Sequence, residues 1–281
     1  MPTLLEPVRT FADYPLDMST EEFFRSVASA RRSALVLDFD GTLAPFEIDP
    51  PRVRPWPGIT ELLQQIQNSG RTRLAVVTGR PAQDVRQLLP LLVPPDIWGL
   101  HGAERLHPDG RLEREELPSA DTQALAGARE LLQSIQLPQG IRVENKWNAI
   151  ALHWRGLSRR QSQSAREYAE HLFFPFASRA GLQLFPFDGG MELRTGHNKG
   201  DAVRMLLEEF PDDTPVAYLG DDATDEDAFQ ALSGRGLCVL VRPRWRPSSA
   251  HLWLRAPAQL RCFLADWLTA LRQGANQYFP A

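Results

Sequence analysis

Apolar residues in this chain come in short unbroken runs separated by amphipathic stretches. Ala34-Leu35-Val36-Leu37 and Leu74-Ala75-Val76-Val77 each hold four apolar residues without alternation, the pattern of strands buried on both faces. Ser19-Thr20-Glu21-Glu22 reads as a helix start ahead of the first run, and Pro57-Gly58 opens an amphipathic helix over Ile59–Gln67 that Asn68-Ser69-Gly70 closes. A third strand is expected over Asp96–His101, and the alternation resumes late in the chain. There we read a helix over Lys199–Glu209, a strand at Val216–Leu219, a helix over Thr224–Leu232 and a strand at Leu237–Val241. Strand and helix in alternation predict an α/β fold with a parallel sheet covered on both faces, whose ligands lie at the carboxyl ends of the strands.

The middle of the chain breaks this rhythm. A helix over Ala120–Ile135, strands at Ile141–Lys146 and Ala149–Trp154, a helix over Ser158–Phe173 and a strand at Leu182–Phe187 describe a compact α+β insertion, expected as a lid or cap. Leu117-Pro118 and Asp188-Gly189-Gly190 are the expected hinges. The resulting division is a core of residues 1–115 and 188–281 with a cap of 116–187.

Composition narrows the function. The 281 residues carry a net charge of −4, which argues against broad binding to nucleic acid or an anionic membrane, so an anionic ligand must be met locally. No apolar stretch approaches the roughly 20 residues of a membrane span, and no basic-then-apolar leader opens the chain, so a cytoplasmic location is expected. Two cysteines, Cys238 and Cys262, are too few for a disulfide framework or a zinc site and read as core packing. Only two of the 31 basic side chains are lysines, Lys146 and Lys199. A bias toward Arg explains the count, yet a compact ammonium is not replaceable everywhere by a planar fork, so the two positions matter.

The candidate chemistry sits where the predicted strands end. Asp38 and Asp40 follow the first apolar run two residues apart, which in extended geometry puts both carboxylates on one side. A hairpin turn at Asp40-Gly41 is the alternative, and it leaves Asp38 unexplained. One carboxylate can attack phosphorus while a second protonates the leaving oxygen and later deprotonates water. Thr78 and Gly79 close the next strand and offer a hydroxyl and an unhindered amide to a phosphate oxygen, although a plain strand end before a helix fits as well. Lys199 opens a helix, where a cation opposes the dipole by a few tenths to about 1 kcal/mol, a misfit that an anion relieves. Gly220-Asp-Asp-Ala-Thr-Asp-Glu-Asp227 crowds five carboxylates. Thr224 with Asp227 has capping-box spacing, and Asp225 and Glu226 suit a helix start, but capping does not need Asp221 and Asp222. These two imply a hard cation bound through oxygen, Mg²⁺ being the usual partner of phosphates.

These motifs, Asp38-Phe-Asp-Gly-Thr-Leu43, Thr78-Gly-Arg80, Lys199 and Gly220-Asp-Asp222, closely resemble in order the four motifs of haloacid dehalogenase superfamily phosphatases. The resemblance implies a Rossmann-like core of the haloacid dehalogenase type with the α+β cap inserted. It implies that Asp38 becomes an aspartyl phosphate, that Asp40 is the general acid and base, and that Thr78 and Lys199 meet the phosphoryl group. Asp38, the backbone carbonyl of Asp40 and Asp221 would hold Mg²⁺, with Asp222 in support. Gly220-Asp-Asp-Ala-Thr-Asp-Glu-Asp-Ala-Phe229, Gly99-Leu-His-Gly-Ala-Glu104 and Thr78-Gly-Arg-Pro81 further resemble the trehalose-6-phosphate phosphatase family, over roughly Leu35–Leu268. Thr195-Gly196-His197 departs from that family, which more often places a proline after the basic residue.

The implied reaction is Mg²⁺-dependent hydrolysis of trehalose 6-phosphate to trehalose and phosphate. A disaccharide offers hydroxyls and no charge beyond its phosphate, so its recognition calls for carboxylate acceptors and cationic donors. Glu144 and Lys146, two apart on a predicted strand, would face one way, with Glu192 a further candidate and His153 and Arg155 weaker ones; a cross-strand salt pair on a solvated face is the alternative. Gly79 and Arg80 complete the expected substrate contacts. Two rivals are the same chemistry on another glycosyl phosphate, such as mannosyl-3-phosphoglycerate, and a non-catalytic sugar-phosphate sensor. Expected partners are the sugar phosphate and, functionally, a trehalose-phosphate synthase. Neither nucleic acid nor membrane is expected, and a monomer is.

Overall fold

The two apolar runs become adjacent inner strands of an eight-stranded sheet. In this computed structural model residues 19–47, 52–114, 116–178, 181–187 and 189–278 are described. One unit comprises the described residues up to Glu113 and those from Asn198 onward, and a second is Arg114–His197.

The first unit opens with α1 (Thr20–Ser29), β1 (Ser33–Leu37), α2 (Ile59–Asn68), β2 (Thr72–Val77), α3 (Ala82–Leu88), β3 (Asp96–Gly99), β4 (Glu104–Leu106) and β5 (Leu112–Arg114). The second contains α4 (Ser119–Ser134), β6 (Arg142–Asn145), β7 (Ala149–His153), α5 (Arg159–Ala177), β8 (Leu182–Phe187) and β9 (Gly190–Thr195). The chain then returns through α6 (Lys199–Glu208), β10 (Val216–Gly220), α7 (Glu226–Leu232), β11 (Leu237–Val241), β12 (Leu252–Leu254) and α8 (Ala258–Tyr278).

The large sheet has the order β12-β11-β10-β1-β2-β3-β4-β5, parallel from β12 to β3 and antiparallel between β3 and β4. Every residue of β1, β10 and β11 is buried, as an all-apolar strand between two helical layers must be. Leu35, Leu37, Val76 and Leu219 pack on one side with Phe23 of α1, Leu63 of α2 and Phe263 and Trp267 of α8. Val36, Val77 and Tyr218 face Val203 and Leu206 of α6 and Phe229 of α7. Each such Leu or Val contributes roughly 1.5–3 kcal/mol on burial, a reserve large enough to hold like charges together at the strand ends.

The second unit is a four-stranded sheet, β6-β7-β9-β8, whose strands are all antiparallel to their neighbours. Leu125, Ala128 and Leu132 of α4 and Ala165, Ala169 and Phe173 of α5 cover one face together with Ile150, Leu152, Leu182 and Leu193 of the strands.

Several sequence expectations change. The return to the core expected at residue 188 occurs at 198, because Gly190–Thr195 is a strand of the smaller sheet. Asp188 lies outside the described residues. Pro118 is the residue before α4, a position its fixed φ suits. The strand expected through His101 stops at Gly99, since Leu100 and His101 turn into left-handed conformations, with φ +52° and +60°. The helix expected from Thr224 begins at Glu226 after a short 3₁₀ turn, Ala223–Asp225, which Asp222 caps. Cys238 is buried as expected, but Cys262 is exposed on α8.

Candidate active site

β1 delivers Asp38 to the end of the sheet, where its N–H still donates to Leu219 O at 2.8 Å, so the parallel ladder fixes the residue. The chain then turns sharply: Gly41 has φ +87° and donates to Ala44 O at 2.7 Å. The turn at Asp40-Gly41 is therefore real, but β1 pairs in parallel with β2 and β10, so it is no hairpin. A Cβ on Gly41 would lie 2.3–2.7 Å from the Asp221 carboxylate, so the residue must be glycine both for its φ and for that close approach.

Lys199 lies at the centre of the cluster. Its Nζ donates to Asp38 Oδ1 at 2.6 Å and to Asp225 Oδ1 at 2.7 Å. All three side chains are at most 4% exposed. Asn198 caps α6 with its side chain, so the helix start aims Lys199 inward. Burial alone would lower the ammonium's pKa, but the Asp225 and Asp38 charges outweigh it and hold Lys199 above its ordinary value. Burial pushes Asp38 up to about 7; Lys199 opposes the rise, while Asp225 and Asp40 add to it. Asp221, 5% exposed, is driven well above the usual carboxylate range by burial and by the charges of Asp38 and Asp225.

Oxygens of Asp38, Asp221 and Asp225 lie within 4.8 Å of one another. The three do not fit a cation equally. Asp225 Oδ1 accepts from Lys199 and from the Tyr218 hydroxyl at 2.7 Å, and its Oδ2 accepts from the Asp221 and Asp222 amides at 2.9 Å each. Those four donors use its acceptor capacity. Asp38 Oδ2 and Asp221 Oδ1, by contrast, are buried and accept no hydrogen bond from the described residues. Buried anionic oxygens without donors are costly; a hard divalent cation is the partner that the chemistry of Asp221 Oδ1 fits, and Asp38 Oδ2 is open to an electrophile. Asp222, expected beside the metal, instead directs its Oδ1 at Ala223 N (2.7 Å). Arg242 and Arg246 donate to the backbone carbonyls of Asp221 (3.0 Å) and Asp222 (2.7 Å) and so hold this acidic loop from behind.

The second loop, Thr78-Gly79-Arg80, follows β2. Thr78 is 1% exposed and its Oγ1 accepts from Arg80 N at 3.1 Å. The Arg80 guanidinium grips Asp40 through Nε to Oδ2 at 2.5 Å and Nη2 to Oδ1 at 2.7 Å. Asp38, Asp40, Thr78, Gly79, Arg80, Lys199 and Asp221 thus all belong to the strand and helix ends of the first unit.

The residues expected to meet a sugar lie on the face of the second unit's sheet opposite α4 and α5. Register places Glu144, Ala151, Glu192 and Phe185 side by side. Lys146 Nζ donates to Glu192 Oε1 at 2.7 Å and lies 3.9 Å from Glu144, whose other neighbour is His153 Nε2 at 2.8 Å. Arg194, 1% exposed, lies 3.3 Å from Glu192 and stacks on Phe185 with its guanidinium carbon 3.6 Å from the ring centroid. Burial would lower Lys146, but Glu192 and Glu144 hold it above its ordinary value; burial would raise Glu144, but His153 and Lys146 keep it low. Arg155 belongs to the same unit, in the turn after β7.

Two residues escaped the sequence reading. Asp225 was legible as the second acid of Gly220-Asp-x-x-x-Asp but was accounted for as a helix-start charge. Arg194 was legible only as the third member of the alternation Gly190, Glu192, Arg194.

The chain is similar to known proteins. A model of the family described as trehalose-phosphatase matches residues 36–251. The chain is 33% identical over 259 residues to the trehalose-phosphate phosphatase of Mycobacterium marinum, covering 85% of this chain and 63% of that protein. It is 32% identical over 260 residues to that of Mycobacterium tuberculosis, covering 87% and 63%. The chain thus spans under two thirds of the length of these relatives. Among solved structures, the C-terminal domain of Candida albicans trehalose-6-phosphate phosphatase superposes with a TM-score of 0.76 at 19% identity, covering 93% of this chain and 99% of that one. A haloalkanoate-superfamily phosphatase of Bacteroides thetaiotaomicron superposes at 0.57 and 16% identity, covering 86% and 96%. These two show the fold, a parallel-sheet core of haloacid dehalogenase type, and with 216 residues matched by the family model the chain belongs to the trehalose-phosphatase family.

Proposed function

We propose that this protein hydrolyses trehalose 6-phosphate to trehalose and inorganic phosphate through an aspartyl phosphate on Asp38. The observation that carries the reading is the asymmetry of Asp38: Lys199 holds Oδ1, while buried Oδ2 accepts nothing from the described residues and remains available as a nucleophile.

In the first step Asp38 Oδ2 forms the bond to phosphorus as the bond from phosphorus to the sugar oxygen breaks, and Asp40 supplies the proton to that oxygen. In the second, Asp40 takes a proton from water, whose oxygen attacks the same phosphorus and releases the Asp38 carboxylate. Thr78 and Gly79 bind phosphoryl oxygens, and Lys199 offsets their charge beside the nucleophile. Arg80, which grips Asp40 here, moves to the substrate's phosphate, and Asp40 is thereby freed to carry a proton. Asp38, the Asp40 carbonyl and Asp221 would hold Mg²⁺, which when bound would supply charge that neutralises the phosphoryl oxygens. Asp225 orients Lys199 and the Asp221 amide. The second unit acts as the cap, with Lys146 donating to sugar hydroxyls and Glu144 and Glu192 accepting from them.

The test is phosphate release across sugar phosphates, including mannosyl-3-phosphoglycerate and glucose 6-phosphate, with Mg²⁺ and with EDTA. Preference for trehalose 6-phosphate that EDTA abolishes is expected; no preference, or activity indifferent to EDTA, refutes the reading.

A further inference from the structure

We propose that Glu104 is a positioning residue for the phosphate loop, holding Thr78–Ala82 in its working shape through the segment Gly99–Glu104. The inference rests on the hydrolytic reading above and extends it to residues that make no contact with the reacting atoms.

The segment is held at a conformational cost. Leu100 and His101 are consecutive L-residues at φ +52° and +60°, a region that favours glycine. Such strain persists only where surrounding contacts enforce it, and it concentrates at functional sites. Here it aims two successive amides at the neighbouring loop: Leu100 N donates to Arg80 O and His101 N to Thr78 O, both at 2.9 Å. The His101 ring fills the space beside Gly79, where an added Cβ would lie 2.7 Å from Nε2, so the loop residue must be glycine to accept it.

Glu104 closes the brace from the other end. Its carboxylate, 2% exposed, accepts from Ala82 N at 2.6 Å. Ala82 is the first residue of α3, and Pro81 before it makes no side-chain cap. A local Ser or Asp would cap that helix at less desolvation cost. A carboxylate sent from β4 does something a local cap cannot: it ties the far end of the phosphate loop to the same segment that holds Thr78 and Arg80. Three backbone groups within five residues are thereby fixed from one side. The fit is close, since a Cβ on Gly99 would meet Ala82 N at 2.5 Å and Glu104 Oε1 at 2.8 Å.

The experiment compares E104Q, which keeps an oxygen at the same reach, with E104D, which withdraws it by one methylene, both with Mg²⁺ present. Trehalose 6-phosphate and p-nitrophenyl phosphate are the substrates and orthovanadate the inhibitor. Misplacing a reacting group by about 1 Å costs on the order of 10²-fold. E104D is expected to lower kcat about tenfold or more and to weaken vanadate inhibition in parallel, with KM within about threefold of wild type, whereas E104Q stays within about threefold on every measure. Should E104D not fold, Gly99→Ala displaces the same bond from the other side and is read the same way. A purely structural Glu104 lowers the unfolding midpoint and leaves kcat and vanadate inhibition unchanged, which overturns the proposal, as does an E104Q as impaired as E104D. Wild-type turnover of p-nitrophenyl phosphate alone refutes the trehalose reading while leaving this comparison intact; turnover of neither ester refutes both.

Discussion

Replacing the same side chain, Asp by Asn, at two positions in one cluster should move stability in opposite directions at pH 8. Asp38 keeps one buried oxygen without a donor among the described residues, and burial raises its carboxyl to about 7. In the unfolded chain the group ionises near 4. Between about pH 4 and 7, therefore, the metal-free folded protein binds a proton that the unfolded chain has released, and stability falls as pH rises through that window. At about 1.4 kcal/mol per pH unit the full loss is roughly 4 kcal/mol, complete above pH 7 and absent below pH 4. Asn cannot ionise and escapes it. Its advantage over Asp should grow by about 3 kcal/mol between pH 5 and pH 8, because two pH units of the window lie in that interval. Loss of the charge-assisted bond from Lys199, worth about 1.5–3 kcal/mol, shifts both values and largely cancels from the difference.

Urea unfolding of wild type and Asp38→Asn at pH 5 and pH 8 in EDTA reads this directly, provided the slope with denaturant is unchanged. Saturating Mg²⁺ at pH 8 should then stabilise the wild type and do much less for Asn, since the cation relieves the cost that Asn has already removed. A difference between the two proteins that is the same at pH 5 and pH 8 would refute the argument. It would mean that the buried carboxyl is not charged at the expense of folding.

Asp225→Asn should instead destabilise by about 3 kcal/mol or more at both pH values in the same unfolding experiment, because one amide oxygen cannot replace a carboxylate that accepts from an ammonium, a phenol and two amides; a loss under about 1 kcal/mol would contradict its bracing role. Gly41→Ala should leave the protein folded but about 1–3 kcal/mol less stable and without the Mg²⁺-induced rise in Tm, since Ala is strained at φ +87° and its Cβ displaces the Asp221 carboxylate; an unchanged thermal shift would show that Asp221 does not hold the cation. Lys199→Arg should lower kcat on the order of 10²-fold with both carboxylates intact, and near-normal turnover would return Lys199 to an ordinary buried cation.

The core strands could be read from sequence because an all-apolar run has few other uses in a chain of this length, and β1, β2, β10 and β11 all carry one. β9 could not. Its opening Gly189-Gly190 is a strong turn signal, and its alternation of Met191 and Leu193 with Glu192 and Arg194 places charges where a surface strand would show them. Only the pairing of β9 with β7 and β8 explains why those charges are buried, since Lys146 arrives from the turn after β6 to meet Glu192. The acidic loop shows a second kind of limit. Spacing singled it out as a candidate metal site, but spacing could not decide which of Asp222 and Asp225 enters the buried cluster, because both suit a helix start. The 3₁₀ turn decides: it points Asp222 back at its own backbone and carries Asp225 inward beneath Lys199.

The scarcity of lysine now has a physical reading. Arginine serves this chain wherever a guanidinium can meet a carboxylate edge-on, as Arg80 meets Asp40 and Arg105 meets Asp96. The two lysines occupy more enclosed surroundings. Lys199 Nζ sits between oxygens of two separate carboxylates at 2.6 and 2.7 Å, and Lys146 Nζ sits 2.7 Å from Glu192 and 3.9 Å from Glu144. Both side chains are under 10% exposed. A planar fork presents its donors in one plane and needs more room, whereas an ammonium directs three donors tetrahedrally from a point. Arg105 also bridges carboxylates of two elements, Asp96 and Glu209, but with its side chain 14% exposed; in the more enclosed space around Lys199 and Lys146 the compact point charge is the shape that fits.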